Sequence, residues 1–95
     1  MGIFQNENNM TTKTEITLPK KLTRDTIRSL LKKAIKEHAD GHPTVFATMI
    51  DYRQNNLSAV LAGRRQLPGM PTYRFCKLLG FEENYEALWR SQYKD

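Results

Sequence analysis

Apolar residues recur along the first half of the chain at the spacing of an α-helix. From Ile27 they fall at i, i+3, i+4, i+7 and i+8, with His38 at i+11, while charged residues and Ser29 occupy positions between them. That spacing places them on one stripe of a helix with 3.6 residues per turn. The stripe consists of Ile27, Leu30, Leu31, Ala34, Ile35 and His38. Thr23 is the expected N-cap of this helix and Gly41 its expected end.

Four shorter apolar groups follow, and Gly, Pro or a polar turn separates each from the next. They predict a helix after Pro43, one from Gln54 to Gly63, one from Pro71 to Gly80, and a last one over about residues 83–93. Their apolar residues are, in order, Val45, Phe46, Met49 and Ile50; Leu57, Val60 and Leu61; Tyr73, Phe75, Cys76, Leu78 and Leu79; and Tyr85, Leu88 and Trp89. No pair of strands is predicted, so we expect an all-α fold, a compact bundle of about five short helices.

The N-terminal segment differs in composition from the rest of the chain. Residues 1–15 are polar and rich in Asn and Thr, and residues 15–19 alternate polar and apolar before Pro19. Such a segment buries too little apolar surface to fold by itself. We therefore expect a flexible N-terminal arm over residues 1–22 and a folded domain over residues 23–95.

Charge adds a hint about the partner. The formal net charge is +5, and residues 43–75 carry four arginines against one acidic residue. A basic body favours a polyanion such as nucleic acid, although many small proteins are basic without binding one. Cys76 is the only cysteine and sits in an apolar run, which is typical of a buried residue in a reducing compartment. No apolar run approaches the ~18 residues of a membrane helix, so we expect a cytoplasmic protein with no membrane partner.

The segment from Thr44 to Gly63 has the features of a helix-turn-helix. Such a unit needs two helices, a turn of about 3–4 residues and a small residue where the helices approach, and Ala47 meets the last need. Leu57 and Val60, at i and i+3, can attach the second helix to the core. The remaining positions of that helix are then free to face a duplex.

This segment resembles the phage repressor and Cro family of helix-turn-helix proteins, the lambda-repressor-like group. Ala47, Ile50, Leu57 and Val60 align with the pattern of that family without a gap, and Leu61-Ala62-Gly63-Arg64-Arg65 resembles its frequent ending. Leu78 to Phe81 is also similar, so the resemblance covers roughly residues 26–81. One position departs from the pattern, since Asp51 stands where the family often has a Gly with positive φ. Asp tolerates that conformation better than most residues.

The resemblance implies a role for individual residues. In this family the start of the second helix reaches base edges in the major groove, and Gln and Asn can form two hydrogen bonds with adenine. The base contacts that it implies are Gln54, Asn55, Asn56, Ser58 and Ala59. The implied phosphate contacts are Thr44, Arg53, Arg64, Arg65, Thr72, Tyr73 and Arg74, some of them at helix N-termini. We accordingly expect some A·T content in the operator.

These features predict a sequence-specific regulator of transcription, typically a repressor of phage or prophage type in a bacterial cytoplasm. Such proteins usually bind their operator as homodimers. The candidate dimer surfaces are the arm and the helix with Tyr85, Leu88 and Trp89, although Trp89 can equally cover the first helix. The alternative is an antitoxin or another protein-interaction module that binds DNA only for autoregulation. A small toxin-like neighbouring gene would favour it.

Enzymatic and metal chemistry find no support in the sequence. There is no Gly-rich phosphate loop and no set of residues that suggests a catalytic triad, so we expect no enzyme and no cofactor. His38 and His42 are four residues apart, but Gly41 and Pro43 interrupt the helix and no further ligand cluster follows. We expect no metal site.

Overall fold

Every regular element that the computed structural model describes, within residues 16–94, is a helix. The elements are α1 (Thr26–Ala39), α2 (Pro43–Met49), α3 (Gln54–Leu61), α4 (Gly69–Leu79), a short 3-10 helix (Glu82–Asn84) and α5 (Tyr85–Ser91). The predicted all-α class and the number of helices are confirmed. Residues 1–15, which hold most of the predicted arm, and Asp95 lie outside the described residues. Between residues 16 and 94 no helix is both long and apolar enough to cross a membrane.

The core forms around α1, which packs against α2, α3 and α5. The fully buried residues come from all five helices and from the loop before α4, and the rings of Phe46 and Phe75 meet edge to face at 6.1 Å. The buried apolar residues are Ile27, Leu30, Leu31, Ala34, Ile35, Ala39, Phe46, Ala47, Ile50, Leu57, Val60, Leu67, Phe75, Cys76 and Leu88. Burial, with a smaller effect of Glu82, raises the pKa of Cys76 to about 12, so its thiol stays protonated near neutral pH.

The ends of α1 are set by local hydrogen bonds. The backbone N–H of Thr23 donates to Oγ1 of Thr26 at 2.7 Å, and the N–H of Thr26 donates to the Thr23 carbonyl at 3.1 Å. At the other end Asp40 and Gly41 both have positive φ, 50° and 82°, which turns the chain out of the helix. The chain before α1 is also part of the packed structure, since Ile16, Leu18 and Leu22 are half-buried against the core.

Three details of the predicted core are wrong. Val45 and Met49 are 49% and 41% exposed, because Phe46 and Ile50, together with Ala47, form the stripe of α2 that meets the core. Leu78 is exposed as well. In α1 the exposed His38 gives way to the buried Ala39, where the chain turns at Asp40.

The loop between α3 and α4 is held by Gln92, the residue that follows α5. Oε1 of the buried Gln92 accepts a hydrogen bond from the Leu67 N–H at 2.7 Å, and its Nε2 donates to the Leu67 carbonyl at 3.0 Å. The same Nε2 also donates to the Trp89 carbonyl at 3.1 Å. Because Leu67 is fully buried and both of its backbone polar groups are paired, the loop that carries Arg64, Arg65 and Gln66 is held in one position.

Candidate nucleic-acid interface

The turn between α2 and α3 occupies residues 50–53 and contains the one conformation that the sequence marked as unusual. Asp51 has φ of +54°, the left-handed region that Gly adopts most easily and that Asp tolerates. The N–H of Tyr52 then donates to the carbonyl of Ala47 at 2.9 Å, which closes the turn onto α2. Ala47 is buried, as expected for a small residue between two helices in contact.

The helix α3 has one face in the core and one in solvent. Leu57 and Val60 are buried and attach it to the domain. Since successive residues of an α-helix lie about 100° apart, Asn55, Ser58 and Ala59 point away from these two. The exposed Ala62 lies on the same outward face. The side chains of this face are small and uncharged, so none of them protrudes far enough to keep the helix out of a groove of a duplex.

The five residues predicted to contact bases divide into a centre and two flanks. Asn55 is exposed and central, with the half-buried Ser58 and Ala59 beside it. Gln54 lies on one flank, and its Nε2 donates to Oγ of Ser58 at 3.3 Å. Asn56 lies on the other flank, where its Oδ1 accepts a hydrogen bond from Nη1 of Arg65 at 2.9 Å. Asn56 therefore bonds Arg65, one of the residues predicted to contact phosphate.

The predicted arginines surround this helix with positive charge. Arg53, immediately before α3, and Arg64, just after it, are exposed and have no ion pair among residues 16–94. Arg65 is exposed and bonded to Asn56. Arg74 is half-buried and its Nη1 lies 3.9 Å from Oδ2 of Asp51. This weak pairing partly offsets the single acidic group near the outward face of α3.

Tyr52 lies in the turn beneath Arg65. Burial raises the pKa of its hydroxyl, and the nearby positive charge of Arg65 lowers it by a smaller amount. The Oη atom is buried and has no hydrogen-bond partner within the described chain. Tyr52 thus serves as packing beneath the turn, while its neighbour Arg53 remains in solvent.

The N-terminal turn of α4 departs from the prediction. The helix begins at Gly69 instead of Pro71. Thr72, predicted to contact phosphate, is fully buried, and its Oγ1 donates to the Pro68 carbonyl at 2.7 Å. Its backbone N–H also donates to the Pro68 carbonyl, so the structure does not support the phosphate contact predicted for Thr72. Tyr73 is half-buried, and its ring packs edge to face against Tyr85 at 5.2 Å.

Thr44 is the remaining predicted phosphate contact, and it is exposed near the start of α2. Its carbonyl accepts a hydrogen bond from Oγ1 of Thr48 at 3.3 Å, and no residue between 16 and 94 bonds its own hydroxyl. Thr44, Arg53 and Arg64 are therefore exposed side chains that have no ion pair and no side-chain hydrogen bond within the described part of the chain.

Four residues shape this surface in ways that the sequence analysis did not predict. Ala62 lies seven residues after Asn55, so helical periodicity could have placed it on the outward face. Leu67 and Gln92 hold the loop after α3, but they are 25 residues apart and belong to no periodic pattern. Gly63, with φ of +80°, allows the Arg28 side chain to pass where a Cβ would collide with it.

No clustered set of metal ligands accompanies this surface: among residues 16–94 no three His, Cys, Asp or Glu side chains lie together. Comparison with known proteins adds no relative, since no family model, no curated protein and no solved structure matches the chain significantly.

Proposed function

We propose that this protein binds double-stranded DNA sequence-specifically, with α2 and α3 as its helix-turn-helix and α3 in the major groove. The observation that carries the proposal is the two-sided character of α3. Leu57 and Val60 fix the helix in the core, and the opposite face presents an exposed amide among small side chains. A major groove about 12 Å wide admits one helix of this kind.

Asn55 is the proposed centre of base recognition. It is exposed and has no side-chain hydrogen bond within the described residues, so both its donor and its acceptor are free. An Asn side chain can bond N6 and N7 of adenine together, and a pair of this kind contributes about 1–3 kcal/mol of discrimination. Ala59 lies beside Asn55 and can contact a thymine methyl group. Both contacts favour A·T pairs in the operator.

Phosphate contacts are proposed for the unpaired cations at either end of α3. Arg53 precedes the helix and Arg64 follows it, so the two can approach the backbones on opposite sides of the major groove. Each phosphate neutralised releases condensed counterions, which makes binding salt-dependent. Arg65 contributes a third cation, held in place by Asn56.

We further propose that the protein acts as a transcriptional regulator, in the simplest case a repressor that covers a promoter, and that it binds as a homodimer. Two copies related by a two-fold axis would read half-sites about 10 base pairs apart. Regulation of this kind needs neither a cofactor nor a catalytic step, and it places the protein in the bacterial cytoplasm.

The experiment that tests this function is selection of bound sequences from a random duplex pool with the wild-type chain. The expected result is one enriched motif that contains A·T pairs and whose two halves are related by symmetry. A single-stranded pool of the same composition is the control and should yield no motif. Binding without any enriched sequence, or no binding to duplex, would contradict the proposal.

A second candidate is a protein-interaction module, such as an antitoxin. The observation in its favour is the exposed pair Val45 and Met49, which lie four residues apart on the same side of α2. The double variant Val45→Thr, Met49→Gln separates the two functions. If α2 serves only to position α3, the variant should select the same duplex motif as the wild type. Loss of a protein partner with DNA binding intact would favour the interaction module.

A further inference from the structure

A groove runs from the outward face of α3 to the end of α5. It is lined by Ala59, by the Arg64–Gln66 loop, by Pro68 and Gly69 at the start of α4, and by Trp89 and Tyr93. The two aromatic rings meet edge to face with centroids 5.6 Å apart. Tyr93 is 57% exposed, unusual for a large aromatic side chain that packs against another ring. The groove therefore joins the proposed recognition helix to an exposed aromatic edge.

The groove is positively charged and its shape is fixed. Arg64 and Arg65 both line it, and of the residues from 16 to 94 no Asp or Glu does. The two hydrogen bonds between Gln92 and Leu67 hold the loop against α5, and Gln92 also bonds the backbone of Trp89. A ligand would thus meet a preformed surface, and ordering that surface on binding would cost little free energy.

We propose that this groove holds the sugar-phosphate backbone of the same duplex, and that Tyr93 donates a hydrogen bond to a phosphate there. The inference rests on the proposed function and extends its footprint from α3 to α5. Charge complementarity carries it, because two arginines without a nearby carboxylate fit a polyanion. The hydroxyl of the exposed Tyr93 supplies a neutral donor next to that charge.

A second copy of this chain fits the groove less well than DNA. A two-fold dimer brings the same patch of both subunits together. With Arg64 and Arg65 on each side, such an interface would place four guanidinium groups near one another without an acid to pair them. Like charges across an interface are unfavourable. The aromatic edge therefore faces nucleic acid, and the dimer contact lies elsewhere.

Trp89 is the only tryptophan of the chain, so its fluorescence reports on this groove alone. Titration of the wild type with its selected duplex should change the Trp89 emission and saturate at the stoichiometry of binding. Dilution of the protein without DNA should leave the emission unchanged. A change that depends on protein concentration alone would overturn the inference in favour of self-association.

The variant that tests the hydrogen bond is Tyr93→Phe, which keeps the ring and removes the hydroxyl. It should weaken binding to every duplex by about three- to tenfold, without altering the selected motif. The matched control is Tyr85→Phe, since Tyr85 begins α5, the helix that precedes Tyr93, and packs against Tyr73 outside the groove. This control should bind like the wild type.

The failure of this inference can be told from the failure of the proposed function. If the wild type selects a motif but Tyr93→Phe binds as tightly and Trp89 emission does not change on binding, the groove does not touch DNA and α3 alone does. If the wild type selects no duplex sequence, the proposed function fails and the inference falls with it.

Discussion

The first turns of α3 and α4 look alike in the sequence and differ in the structure. Both follow a polar or proline-containing loop, and both carry side chains predicted to contact DNA. In α3 those side chains stay in solvent, with Asn55 exposed. In α4 the first turn is closed upon itself, since Thr72 is fully buried and bonded to the Pro68 carbonyl. The side chain of Asn55 is therefore available to a ligand, whereas that of Thr72 is not.

The difference shows what decides whether a helix end can bind. Pro71 removes one backbone donor from the first turn of α4 and is itself buried, and Thr72 uses its hydroxyl inside the protein. Residue type alone does not reveal this, because Thr is usually exposed and Thr72 is not. The surrounding residues decide: Thr72 lies beside the carbonyls of Leu67 and Pro68, and the ring of Tyr73 packs against that of Tyr85.

The largest expected effect comes from the inner face of α3. Leu57→Ala should lower the free energy of unfolding by about 2–5 kcal/mol, because Leu57 is fully buried and its loss leaves a cavity. Chemical denaturation measures it. Asn55→Ala, on the opposite face of the same helix, is the control and should change stability by no more than about 0.5 kcal/mol. Equal losses would mean that α3 does not have two distinct faces.

Thr72→Val tests the closed turn of α4. The substitution keeps the shape and removes the hydrogen bond to Pro68, so stability should fall by about 1 kcal/mol. DNA affinity of the folded protein should not change. Thr44→Val is the control, an exposed threonine that should weaken DNA binding with little loss of stability. If Thr72→Val instead lowered the salt dependence of DNA binding and left stability unchanged, Thr72 would contact phosphate, and the first turn of α4 would not be closed.

Asp51→Asn should have the smallest effect. Asn also tolerates positive φ, so the turn is kept while a negative charge near the proposed phosphates is removed. Binding to all duplexes should tighten by about two- to fivefold at low salt, and the gain should vanish at high salt. Asp40→Asn is the matched control, because Asp40 is exposed and also has positive φ, but ends α1. The same gain in this control would mean that net charge alone is responsible.

Periodicity predicted most of the fold, and the failures have physical reasons. The stripe of α1 from Ile27 to Ile35 is buried as predicted. In α2 two apolar pairs lie side by side, and the spacing could not tell which pair meets the core. It is Phe46 and Ile50, while Val45 and Met49 are exposed.

The candidate site was predictable where it is local and not where it depends on distant contacts. The outward position of Asn55 follows from the α3 pattern, and the positive φ of Asp51 is what the family resemblance implied. The hydrogen bond from Arg65 to Asn56 and the pairing of Gln92 with Leu67 cross loops, and no spacing along the chain encodes them.

The proposal depends most on Asn55 reading a base while Arg64 contacts a phosphate. The direct test measures dissociation constants of the wild type, Asn55→Ala and Arg64→Ala for the selected site and for every single-base-pair change in it. Asn55→Ala should lose discrimination, about 1–3 kcal/mol, at one or two positions of each half-site. Arg64→Ala should weaken all duplexes alike and lower the salt slope by about 1. A uniform loss for Asn55→Ala, with every base preference retained, would contradict the account.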